Sequence, residues 1–175
     1  CTVIGHSMGG YITMAFAEKY PTSLKAYGLF SSTAIADSAE KKETRSKAIS
    51  FIKENGAEAF LKTVLPNQFA DANKSKKQID HLLQTGAKFE NKALVQYYRA
   101  MIARPDRTNV LKRSTVPILF VFGESDKLIP LEEGLKLTSL PKQAYVDVLK
   151  NSGHMGMLEE PKETVKILKK FLEQA

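Results

Sequence analysis

The sequence predicts an α/β protein with four parallel strands and a long helical insertion between the second and third. Three observations carry this. Short β-branched or apolar runs alternate with amphipathic helical stretches, the pattern of a parallel sheet. The run Val116-Pro-Ile-Leu-Phe-Val-Phe122 is continuously apolar, as a strand covered on both faces must be. From about 37 to 113 the texture changes to polar, Lys/Glu-rich and helical, too long for a simple crossover.

Thr2-Val3-Ile4-Gly5 reads as the end of a buried strand. From residue 9 to 20 the pattern is helical, with Ile12, Ala15, Phe16 and Lys19 at helical spacing and Tyr20-Pro21 as the stop. Leu24 to Phe30 reads as a second strand. Inside the insertion, Gly56, Pro66 and Gly86 punctuate four or five helices. Ile79, Leu82 and Leu83 form one apolar stripe, and Leu94, Tyr98, Met101 and Ile102 another. After the strand at 116–122, a helix is expected over 131–140, a strand over 144–149 and a closing amphipathic helix over 161–173. That last helix has Val165, Leu168 and Leu172 on one face. The organisation expected is core at 1–36, helical cap at 37–113 and core again at 114–175. An insertion at the carboxyl edge of the strands, where α/β proteins bind ligands, is expected to act as a lid.

The bulk numbers exclude several classes. Hydrophobic content of 43% and charged content of 26% describe a globular domain. No apolar run is long enough to span a bilayer, so no membrane partner is expected. The net charge is +7, but the lysines are dispersed among glutamates on amphipathic helices. They read as a solvated surface rather than a nucleic-acid site, and no nucleic acid is expected as a partner. One cysteine rules out an internal disulfide framework and fits a reducing, cytoplasmic compartment. The chain opens inside an element and without methionine, so the lack of a leader pattern carries no weight.

The chemistry concentrates at three strand ends. Ser7, Asp126 and His154 each follow a predicted strand, and in a parallel sheet those ends share one edge. A serine hydroxyl is a weak nucleophile and needs an adjacent base. Histidine can take its proton and return it to a leaving group. A carboxylate fixes the histidine tautomer and stabilises the imidazolium. Ser7 sits in Gly5-His6-Ser7-Met8-Gly9-Gly10, between a strand and a helix, where glycines relieve a turn too tight for Cβ atoms. Each residue has a plainer reading, as a turn serine, a turn aspartate and a loop histidine. Asp37 is a second candidate for the acid, several residues beyond its strand. His6 reads as packing beside the nucleophile and His81 as a helix-surface residue. The three histidines lack metal-ligand spacing, and no metal is expected. Asp106 reads as an N-cap. Tyr97, Tyr98 and Met101 could line an acyl pocket or pack the insertion's own core; packing is favoured. Met157 adjoins the histidine loop and is a further pocket candidate.

Together these motifs resemble the α/β-hydrolase family. Gly5 to Gly10 is similar to its elbow, Gly123-Glu-Ser-Asp126 with Ile129-Pro130 to its acid turn, and Gly153-His154-Met155 with Glu160-Pro161 to its histidine loop. The chain order Ser, Asp, His is the family's order. Arg104-Pro105-Asp106-Arg107 resembles the subgroup with small helical caps, which includes carboxylesterases, enol-lactonases and haloperoxidase-like enzymes. The resemblance covers nearly the whole chain. It implies a serine hydrolase acting on a small-molecule ester or related acyl substrate through an acyl-serine, with no cofactor. The Met8 backbone N–H would be one oxyanion donor. The same triad supports lactone opening and thioester, C–C or perhydrolytic chemistry, and a non-catalytic ligand-binding relative is a further alternative. The resemblance also implies that the family's first four strands, and the loop with the second oxyanion donor, lie outside this sequence. On that reading it is a fragment, poorly active alone, with residues 2–5 at an unnatural edge.

Overall fold

The computed structural model describes residues 1–175. The chain divides into two compact units, one formed by 1–35 and 106–175 and the other by 36–105. The boundary expected at 113 therefore falls at 105.

The first unit holds strands β1 (Thr2–His6), β2 (Ala26–Phe30), β3 (Ile118–Gly123) and β4 (Ala144–Leu149), all parallel, in the spatial order β1-β2-β3-β4. Every residue of β2 and β3 is buried, because each has a strand on both sides and helices on both faces. Side-chain alternation sorts the core into two layers. Tyr27 and Leu29 of β2 and Ile118, Phe120 and Phe122 of β3 face helices α1 (Met8–Lys19), α5 (Thr108–Arg113) and α6 (Leu131–Leu137), meeting Met14, Leu111 and Leu137 there. On the other face Ala26, Phe30, Leu119, Val121 and Leu149 meet Ile167 and Phe171 of α8 (Pro161–Gln174). β1 and β4 are the sheet edges. Thr2, Val3 and Ile4 are only half-buried and Val146 is exposed. The strand expected from Val116 begins at Ile118, after Pro117, which has no N–H to donate to a ladder. A four-residue helix, α7 (Gly156–Glu159), follows the last strand and leaves no periodic trace in the sequence. Asp106 accepts the N–H and hydroxyl of Thr108, at 3.0 and 2.6 Å, fastening the start of α5.

The second unit is helical: α2 (Ala39–Val64), α3 (Lys76–Gly86) and α4 (Asn91–Ala103). Ser38 caps α2 through Lys41 N–H. Gly56 (φ 87°) bends α2, and the Ala57 N–H that the bend frees is taken by Asn91 Oδ1 at 2.7 Å. Ile52, Phe60 and Val95 form this unit's core. Asp37 is buried with both carboxylate oxygens engaged, by Arg45 and, at 2.9 Å, by Arg104. Burial opposes the charge on Asp37, but the hydrogen bonds and charges of the two arginines outweigh it and hold the carboxyl below its usual range. Residues 37 and 104 lie at the two ends of the unit, so this ion pair ties its entry to its exit.

Two glycines make opposite predictions. A Cβ on Gly123 would lie 1.9 Å from Gly153 O, against backbone that cannot yield, whereas one on Gly9 would meet nothing. Urea denaturation should show Gly123→Ala losing at least about 2 kcal/mol. Gly9→Ala, at a helical position, should be neutral or stabilised by up to about 1 kcal/mol.

Candidate active site

The turn between β1 and α1 puts Ser7 at φ 51°, ψ −117°, a conformation that costs an L-residue about 1–3 kcal/mol. Three hydrogen bonds hold it there: Ser7 N–H to Phe30 O at 2.9 Å, Gly10 N–H to Ser7 O at 2.9 Å, and the Ser32 hydroxyl to Ser7 O at 2.7 Å. Two of the glycines are sterically required. A Cβ on Gly5 would sit 2.3 Å from Gly9 carbonyl atoms, and one on Gly10 would sit 2.2 Å from Ser32 Oγ. Gly9 has open space, so the expectation that the tight turn excludes a Cβ there is corrected.

Ser7 Oγ lies 2.8 Å from His154 Nε2, and His154 Nδ1 lies 2.8 Å from Asp126 Oδ2. A carboxylate can only accept, so Nδ1 carries the proton and Nε2 is left to accept from the serine hydroxyl. Asp126 and His154 are buried, while Ser7 is half-exposed. The second oxygen of Asp126 accepts N–H groups from Leu128, at 2.8 Å, and Ile129, at 3.0 Å, so both its oxygens are committed. Asp37, the other candidate acid, is engaged by Arg45 and Arg104 instead. Met8 opens α1, where its N–H has no acceptor within the helix.

The loops carrying Asp126 and His154 are fastened to each other. Glu124 N–H donates to Leu149 O and Ser125 N–H to Ser152 O, both at 3.0 Å, an approach that requires the missing side chain of Gly123. A clamp of two adjacent carboxylates closes the histidine loop from behind. Glu160 accepts from Asn151 N–H at 2.9 Å and the Ser152 hydroxyl at 2.7 Å, and Glu159 accepts from Gly153 N–H at 2.8 Å. Partial burial opposes the Glu160 charge, but these hydrogen bonds prevail and keep its carboxyl below the usual range. In the sequence Glu160-Pro161 stands out as a motif but not by its function. The only signal was a pair of acids closely following a loop histidine.

His6 does more than fill space. Its Nε2–H donates to His154 O at 2.8 Å, and the two rings lie 4.9 Å apart. Burial pulls its pKa down to about 4, so it is neutral at physiological pH. The pocket candidates separate. Tyr98 packs edge-to-face on Phe60 and beneath Arg45, and Met101 Sδ accepts from Arg45 at 3.1 Å; both belong to the second unit's packing. Tyr97 is exposed. Met157 packs against the α8-side core. His81 is exposed on α3, and no three His, Cys, Asp or Glu side chains are grouped to hold a metal ion.

A family model described as Hydrolase_4, serine aminopeptidase S33, matches residues 1–161. The chain belongs to this α/β-hydrolase family. It is 27% identical over 175 residues to Lipase 3 of Moraxella sp. (strain TA144), covering 95% of this chain and 54% of that lipase. A thermophilic esterase from Thermogutta terrifontis superposes with a TM-score of 0.92 at 25% identity, over 99% of this chain and 64% of that one. The enol-lactonase of Burkholderia xenovorans LB400 superposes at 0.86 with 20% identity, over 97% and 64%, a likeness of fold alone. These relatives are hydrolases, and the four parallel strands with flanking helices are part of their fold. The chain spans about half the length of that lipase. No helix is long and apolar enough to cross a membrane.

Two predictions rest on this geometry. The His6 pKa is lower in the folded than in the unfolded chain, so its contribution is complete above about pH 6.5 and is lost as pH falls toward 4. The loss is on the order of 3 kcal/mol. Urea titrations at pH 7 and pH 4 should show this slope flattened in His6→Gln, and an unchanged slope would refute the assignment. Glu160→Ala should misplace the histidine loop and lower turnover by about tenfold or more, with KM little changed.

Proposed function

We propose that the protein is a serine hydrolase that cleaves an ester or related acyl bond of a small molecule through an acyl-serine intermediate. The observation that carries this reading is the unbroken hydrogen-bonded chain Ser7–His154–Asp126, each link 2.8 Å. Lipases and esterases among its relatives support the ester class.

In the mechanism, Ser7 Oγ attacks the substrate carbonyl as its proton passes to His154 Nε2. Asp126 holds the imidazole by Nδ1–H and stabilises its charge. Charge building on the carbonyl oxygen is met by the Met8 N–H, one such donor being worth roughly 10²–10³ in rate. Collapse expels the alcohol, protonated by His154. A water that then gives its proton to His154 attacks the acyl-serine, and the acid leaves with Ser7 restored. No step uses a cofactor. The neutral His6, donating to the His154 carbonyl, keeps a second positive charge away from the imidazolium.

The test is turnover of p-nitrophenyl esters of increasing acyl length by the whole protein. A lactone, a thioester and an aminoacyl anilide belong in the same panel, the last because the family is described as a serine aminopeptidase. Ester turnover should fall at least about 10³-fold in Ser7→Ala, with the melting temperature preserved. Ester turnover that survives in Ser7→Ala would overturn the mechanism. Preference for another member of the panel would move the substrate class.

A further inference from the structure

The segment after β2 holds Ser7 by both of its backbone groups. Phe30 O accepts the Ser7 N–H at 2.9 Å, and the Ser32 hydroxyl donates to Ser7 O at 2.7 Å. Ser31 turns the chain between these two contacts, with its own N–H on Val121 O at 2.8 Å. It does so at φ 45°, and Ser7 and Ser31 are the two non-glycine residues of the chain with positive φ. They follow the paired strands β1 and β2. Strain of this kind persists only where the surroundings over-determine it.

The Ser32 hydroxyl is not needed to satisfy the carbonyl, because Gly10 N–H already donates to Ser7 O at 2.9 Å. Room is nevertheless made for it. Ser32 is fully buried, and a Cβ on Gly10 would lie 2.2 Å from Ser32 Oγ. What this second donor adds follows from peptide geometry. Ser7 O and the Met8 N–H belong to one peptide unit, planar and trans, and point in opposite directions. A group that fixes the carbonyl on one side fixes the direction of the N–H on the other. Donation to the carbonyl also polarises the amide and strengthens its N–H as a donor. Met8 opens α1, so its N–H has no acceptor within the helix to hold it instead.

We propose that Ser32 is a positioning residue for the oxyanion donor: its hydroxyl, held on Ser7 O, aims and strengthens the Met8 N–H. This role rests on the acyl-transfer reading above and deepens it. Ser32 handles no proton of the reaction, and its hydroxyl stays on Ser7 O throughout.

Steady-state kinetics of the whole protein on p-nitrophenyl acetate and on the corresponding thionoester test this role. The thionoester develops its charge on sulfur, a weak hydrogen-bond acceptor, so its turnover depends little on the oxyanion donor. Ser32→Ala should lower kcat for the ester about tenfold with KM little changed, as expected of an interaction made in the transition state. The thionoester should lose no more than about twofold. Ser32→Cys, of similar volume but a weaker donor, should fall between Ser32→Ala and wild type, and it carries the test if Ser32→Ala does not fold. Melting temperatures identify the folded variants. Unchanged ester turnover in folded Ser32→Ala overturns the proposal. So does an equal loss for ester and thionoester, which would mean that Ser32 places Ser7 Oγ rather than the Met8 N–H. Absence of ester turnover in the wild-type protein is a different result: it overturns the acyl-transfer reading and takes this role with it.

Discussion

The strained turn at Ser7 is the constraint on which the rest of this sheet edge depends. A serine at φ 51° is unfavourable by itself and persists only where its surroundings over-determine it. Here they do so from three directions. β2 supplies Phe30 O, the helix that the turn starts supplies Gly10 N–H, and the loop after β2 supplies the Ser32 hydroxyl. Gly5 and Gly10 let these parts come within backbone contact. The reward is geometric. A relaxed turn would continue the strand or the helix and carry the hydroxyl away from the sheet edge, whereas this one presents it to His154.

A parallel sheet then makes the meeting possible. With β1, β3 and β4 running the same way, the loops after them emerge together, although Ser7 and His154 are 147 residues apart in sequence. Emergence on one edge gives proximity but not a 2.8 Å contact. That final placement comes from polar groups with no chemical part in a reaction: Leu128 and Ile129 N–H on Asp126, the Gly123 approach to Gly153, and the Glu159–Glu160 clamp on residues 151–153. Both oxygens of the buried Asp126 have their donors, as a rigid polar site in a poor dielectric requires. The two glutamates act on the histidine loop without touching the imidazole.

The second unit uses charge differently. Asp37 sits between two guanidiniums, and Arg45 also covers Tyr98 and donates to Met101. An aspartate just beyond a core strand could have served as a triad acid. Its arginine partners give it a structural duty, and they come from positions 8 and 67 residues further along the chain, which no local pattern ties to it. The protein's positive charge has a similarly plain distribution. Many lysines pair with acids one helical turn away, as Lys47 does with Glu43, Lys62 with Glu58 and Lys76 with Asp80.

Residue pattern alone was enough to read the α/β class, the four strands to within two residues, and the three side chains that meet at the sheet edge. It could do so because strand burial, helical periodicity and turn chemistry are local, and because a parallel sheet converts strand ends into neighbours. The glycines of the elbow were legible as a group but not singly: a Cβ on Gly5 would meet the Gly9 carbonyl and one on Gly10 the Ser32 side chain beyond β2, while Gly9 faces open space. Tertiary structure alone decided that His6 reaches the His154 carbonyl, that Glu159 and Glu160 clamp the loop before it, and that Asp37 belongs to two arginines. It also decided that Tyr98 packs edge-to-face on Phe60 and that Met101 accepts from Arg45. The physical reason is common to all of them. Each depends on which group stands within about 3 Å of another across the fold, and hydrogen-bond geometry at that scale is set by packing rather than by residue type.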